Sequence, residues 1–128
     1  MIAVDTSVVI DYLQGIRSIH TEQMQDALSQ RSISIPLVVV TELFSSPKYG
    51  ERLLVFLNEI ETLEIHEGYW ERAGKNRAQL KARKLKAKTA DTLIAQSCID
   101  HGVPLLTRDP DFGHYARHCD LKLLDHKS

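Results

Sequence analysis

Short apolar runs alternate with longer amphipathic stretches along this chain, and that alternation limits the fold more than any other feature. Residues 1–4, 32–35, 62–65, 104–107 and 121–124 are short, apolar and rich in branched side chains, and predict five strands. Between them the spacing predicts helices over residues 8–13, 16–30, 52–60, 69–85 and 90–101. Gly15 and Gly102 stand where helices stop, and Thr89 stands where an N-cap is wanted. Strand–helix alternation implies a parallel sheet covered on both faces, a three-layer α/β/α sandwich with about five strands. In such sheets, sites lie at the carboxyl ends of strands, near a switch in strand order. Asp5 and Asp109 both come just after a predicted strand.

One stretch stays open at this level. The β-branched residues of Leu37-Val38-Val39-Val40 favour a strand, whereas Pro36 breaks a central strand and suits a helix start. The choice decides where Glu42 points, because Thr41-Glu42-Leu43-Phe44 continues as a helix.

The 128 residues, without linker or repeat, make one domain over residues 1–128. No apolar run approaches the roughly 20 residues that span a bilayer, and the first residues lack a secretory pattern. The expectation is a cytoplasmic protein with no membrane contact. Cys98 and Cys119 are then reduced thiols.

Charge is unevenly spread. Of 16 Lys and Arg, Arg72, Lys75, Arg77, Lys81, Arg83, Lys84, Lys86 and Lys88 fall in one segment, and all 17 Asp and Glu lie outside it. A solvated helix face explains such a run, and so does a contact stripe for a phosphate backbone. The segment has no interleaved aromatics, so base stacking is not signalled.

The acids divide into two groups. Glu51, Glu59, Glu61, Glu64, Glu67 and Glu71 fall on polar faces or turns. Asp5, Glu42 and Asp91 are embedded among apolar residues, where a charge is costly unless paired or bound to metal. Each has a plain structural use: Asp5 as an N-cap, Asp91 in a helix first turn, Asp109 in an Asp-Pro turn. Nothing local asks for an acid at Glu42. Convergent carboxylates without basic partners call for a hard cation, Mg²⁺ or Mn²⁺ rather than zinc. Such ions serve phosphodiester hydrolysis.

These residues carry a family resemblance. Ile2-Ala3-Val4-Asp5-Thr6-Ser7-Val8-Val9-Ile10 resembles the opening of PIN domains, especially the VapC-type toxins of bacterial toxin–antitoxin pairs. Val39-Val40-Thr41-Glu42-Leu43, Ala90-Asp91-Thr92-Leu93-Ile94-Ala95 and Leu105-Leu106-Thr107-Arg108-Asp109-Pro110-Asp111-Phe112 resemble the later motifs, in order. The resemblance implies a Mg²⁺- or Mn²⁺-dependent endoribonuclease with Glu42 on a helix facing the site. It implies Asp5, Glu42, Asp91 and Asp109 as metal ligands, Asp111 as a fifth acid, and Ser7 and Thr107 as supporting hydrogen-bonders. It further implies an RNA substrate, a cognate antitoxin and a homodimer. The sequence departs from the common pattern at Lys84-Leu85-Lys86-Ala87-Lys88-Thr89, which makes the groove edge more basic. Lys81, Arg83, Lys84, Lys86 and Lys88 are the candidate RNA contacts.

Rival readings are weaker. Cys98-x-x-His101 and His114-x-x-x-His118-Cys119 have spacings open to zinc, but His101 is at home near a helix C-terminus. A phosphoacceptor receiver needs an acidic neighbour beside Asp5, which is absent. An inactive PIN scaffold that binds RNA or protein is the alternative, and the retention of every motif acid argues against it.

Overall fold

The computed structural model describes residues 1–124. Strand β1 (Ile2–Val4) leads to helices α1 (Thr6–Leu13) and α2 (Ile19–Ser29), and strand β2 (Ile33–Pro36) leads to α3 (Leu37–Phe44) and α4 (Gly50–Asn58). Strand β3 (Glu61–Leu63) leads to α5 (Tyr69–Ala82) and α6 (Thr89–His101). Strand β4 (Leu105–Leu106), a 3-10 turn at Pro110–Phe112 and α7 (Gly113–His118) follow. The strands lie in the order β3-β2-β1-β4, all parallel, as the middle layer of an α/β/α sandwich.

The caps explain most boundaries. Asp5 accepts from the Val8 amide and starts α1. Ser18 and Thr21 form a reciprocal capping box on α2. Pro36 settles the open stretch: it ends β2, paired with Leu63, and its extended backbone hands the chain to α3 at Leu37. Three expectations shift. Lys88, not Thr89, is the N-cap of α6, and Thr89 is its first helical residue. Helix α5 stops at Ala82, because Lys84 turns left-handed at φ 61°. The amides of Leu85 and Lys84 then reach back to the carbonyls of Leu80 and Lys81, a Schellman closure.

The predicted fifth strand is the third shift. Over residues 121–124 the structure has only an isolated parallel bridge, Leu105 to Leu123, so the sheet has four strands among the described residues. The partner strand β4 is two residues long, and left-handed Asp120 redirects the chain just before the bridge.

The core runs from Ala3, Val4, Val8 and Val9 through Ile35, Val39 and Leu43 to Ile94, Leu105, Leu106 and Tyr115, all buried. No helix of the described residues is long and apolar enough to cross a membrane.

Candidate metal centre

The chain leaves β1 for β2 on one side and much later returns as β4 on the other side. That is a switch in strand order, where open parallel sheets form a crevice. Pairing of Ala3 with Leu105 and Val4 with Leu106 sets Asp5 beside Thr107 at the carboxyl ends of the two strands.

A chain of hydrogen bonds starts there. Asp5 is buried; Ser7 Oγ donates to its Oδ1 at 2.8 Å, and Thr107 Oγ1 donates to its Oδ2 at 2.5 Å. Thr107 Oγ1 in turn accepts from the Asp109 amide at 3.0 Å, and Asp109 Oδ1 accepts from the Asp111 amide at 2.9 Å. Burial pushes the Asp5 carboxyl up; donors on Thr107, Ser7 and Val8 pull it back, and the charge of Asp109 adds to the rise.

Among the described residues, the carboxylates of Asp91, Asp109 and Asp111 each offer an oxygen within 4.8 Å of the others. Asp91 comes from the first turn of α6, and the other two come from the turn after β4. Burial, then the charge of Asp109, raises the Asp91 pKa to about 6; Lys88 opposes this, while Glu42 and Asp111 add to it. The donors are all carboxylate oxygens, partly buried and mutually repelling, which fits a hard divalent cation and not a soft one.

Of the acids singled out in the sequence, Asp91, Asp109 and Asp111 thus form one group. Asp5 and Glu42 stand outside it at that spacing, but both act on it: Asp5 and Asp109 feel each other's charge, and Glu42 lifts Asp91. Asp111, the fifth candidate, sits as close as any. Ser7 and Thr107 both bond to an acid, Asp5.

Sequence reasoning missed two supports. Thr6 Oγ1 donates to Glu42 Oε1 at 2.6 Å, tying the start of α1 to α3 across 36 residues. Its only signal was its place beside Asp5. Arg108 donates to buried Asp11 at 2.6 Å and so fastens the turn that carries Asp109 to α1.

The basic segment divides by role. Arg72 forks onto Asp100, and Arg77 donates to the Ala87 carbonyl at 2.8 Å, so these two hold structure together. Lys81, Arg83, Lys84, Lys86 and Lys88 are exposed. Lys86 Nζ lies 3.4 Å from Asp111 Oδ2, and the charge of Lys88 acts on Asp91, so this loop borders the acid group. Cys98 and Cys119 are free and buried.

No curated protein matches the chain. Solved structures do. VapBC2 from Rickettsia felis, bound to a DNA fragment from its promoter, is 21% identical with a TM-score of 0.77 over 97% of this chain and 98% of that one. VapBC-1 from nontypeable Haemophilus influenzae is 20% identical, with a TM-score of 0.76 over the whole of both chains. A toxin–antitoxin complex from Klebsiella pneumoniae is 23% identical, with a TM-score of 0.67 over 88% of this chain and 90% of that one. At these identities the likeness establishes the fold. The profile of the PIN domain matches residues 2–118, nearly the whole length, and on that match the chain belongs to the PIN domain family.

Proposed function

We propose that this chain is a divalent-metal-dependent endoribonuclease, the VapC-type toxin of a toxin–antitoxin pair. The observation that carries the reading is the meeting of Asp91, Asp109 and Asp111 at the carboxyl end of the sheet, with Asp5 and Glu42 beside them. Asp91, Asp109 and Asp111 would hold Mg²⁺ or Mn²⁺, with Asp5 and Glu42 completing the charge around it. Bound there, the cation would make water more acidic and offset charge on the leaving oxygen.

The protein's own residues do the rest. Lys81, Arg83, Lys84 and Lys88 attract the RNA backbone to the lip of the site. Asp5, through Thr107, fixes the turn that aims Asp109. The oxygen of an attacking water forms the new P–O bond, its proton passes to the Asp109 or Asp111 carboxylate, and the P–O bond to the leaving oxygen breaks. No side chain forms a covalent intermediate. The structural relatives are toxin–antitoxin complexes, which supports a cognate antitoxin here. A homodimer and a cytoplasmic location complete the reading.

The test is cleavage of labelled RNA by the purified protein with Mg²⁺, Mn²⁺ or EDTA, beside Asp5→Asn. Metal-dependent cutting that the variant loses supports the nuclease. Full activity in Asp5→Asn removes Asp5 from the assignment. RNA binding without metal-dependent cutting favours the inactive scaffold.

A further inference from the structure

The loop from Arg83 to Lys88 is built around one residue. On one side, Leu85 packs against the core and its amide bonds to the Leu80 carbonyl at 3.0 Å. On the other, Ala87 is buried and its carbonyl is held by Arg77. The backbone of Lys86 is therefore anchored at both flanks, while its side chain stays 58% exposed and ends against Asp111. Of the Lys and Arg side chains among the described residues, Lys86 alone is ion-paired with a member of the acid group. A tethered monovalent cation thus sits where a divalent one fits.

We propose that Lys86 is the resident counter-cation of the acid group, which a divalent ion displaces, and that the freed ammonium then binds an RNA phosphate. The second half rests on the nuclease reading; the first does not. The two cations compete for Asp111, because its carboxylate cannot fully serve both. Displacement leaves an anchored Lys86 with an unmatched charge at the rim of the site. A lysine is a flexible point charge suited to such an exchange. RNA contact by Lys86 is in this way conditional on the metal.

Mn²⁺ alone, titrated by calorimetry into the full chain, tests the first half. Lys86→Met should bind Mn²⁺ about threefold more tightly, the scale of losing one exposed ion pair. Lys86→Arg, which keeps the charge, and Lys75→Met, a distant exposed lysine on α5, should match the wild type. Unchanged Mn²⁺ affinity in Lys86→Met overturns the counter-cation. Binding of a labelled mixed-sequence single-stranded RNA, in an Asp5→Asn background that keeps it intact, tests the second half. With Mn²⁺, Lys86→Met should weaken binding and lower the salt slope by about 0.7. In EDTA the same substitution should have little effect. An equal effect with and without Mn²⁺, or none in either, overturns the conditional contact. If the wild type binds no Mn²⁺, the metal centre and the inference fall together. If it binds Mn²⁺ but cleaves no RNA, the nuclease reading falls and calorimetry still decides the counter-cation.

Discussion

Burial and neighbouring charge oppose ionisation of Asp91, whose pKa stands at about 6 against the ordinary 3.8. The folded state therefore holds this proton more tightly than the unfolded chain. Its contribution to stability is fully present below pH 3.8 and is lost as pH rises through about 6. Metal-free Asp91→Asn should thus melt above the wild type at pH 8 and level with it near pH 4, by thermal denaturation in EDTA. Divalent cation competes with the same proton, so apparent Mn²⁺ affinity should fall roughly tenfold per pH unit below that pKa. Thr6 makes a second prediction. Thr6→Val keeps the shape but removes the donor to Glu42 and should weaken Mn²⁺ binding about tenfold, while Thr6→Ser should not. Asp5 and Asp91 were legible as unusual acids because apolar neighbours flank them. The Thr6–Glu42 bond was not, since a threonine in a helix first turn needs no distant partner to explain it.

At the level of elements, most helix and strand types followed from periodicity, but the pattern leaves α3 open and does not anticipate α7, and boundaries followed from caps that sequence shows only in part. The expected helix start at residue 16 lies three residues too early, because Ser18 is the N-cap and α2 begins at Ile19. The end of α5 is not legible either, because the left-handed residue that closes it is Lys84, where glycine is usual. Lys84→Gly should relieve about 1 kcal/mol of backbone strain and raise the melting temperature by several degrees. Unchanged melting would show that the turn carries no such strain. Gly102 presents the reverse case. It caps α6 at φ 63° with no heavy atom near its missing Cβ, so Gly102→Ala should cost about 1 kcal/mol through backbone conformation alone. The fifth strand shrinks to one bridge because residues 121–124 are apolar enough to pair, yet left-handed Asp120 turns the chain just before them and their neighbour is short. β4 offers two residues.

For the whole molecule, the α/β/α order was readable because short apolar runs alternate with longer amphipathic stretches along most of the chain. The position of the site was readable from the strand-end rule, which the β1–β4 switch satisfies. Its membership was less so: Asp91, Asp109 and Asp111 converge through tertiary folding, not through spacing. Saturating Mn²⁺ at about a hundred times its Kd should stabilise the fold by about 2.7 kcal/mol, visible as a higher melting temperature that EDTA reverses. No shift would separate the acid group from metal binding. The Thr107–Asp5 bond, which joins residues 102 positions apart, has a consequence for synthesis. A ribosome releases Asp5 and Glu42 long before Asp109 and Asp111. Until residue 111 has cleared the exit tunnel, β1 lacks its β4 neighbour and the acid group lacks two of its three members. On the nuclease reading proposed above, the emerging chain cannot act on the message that encodes it before residue 111 is out.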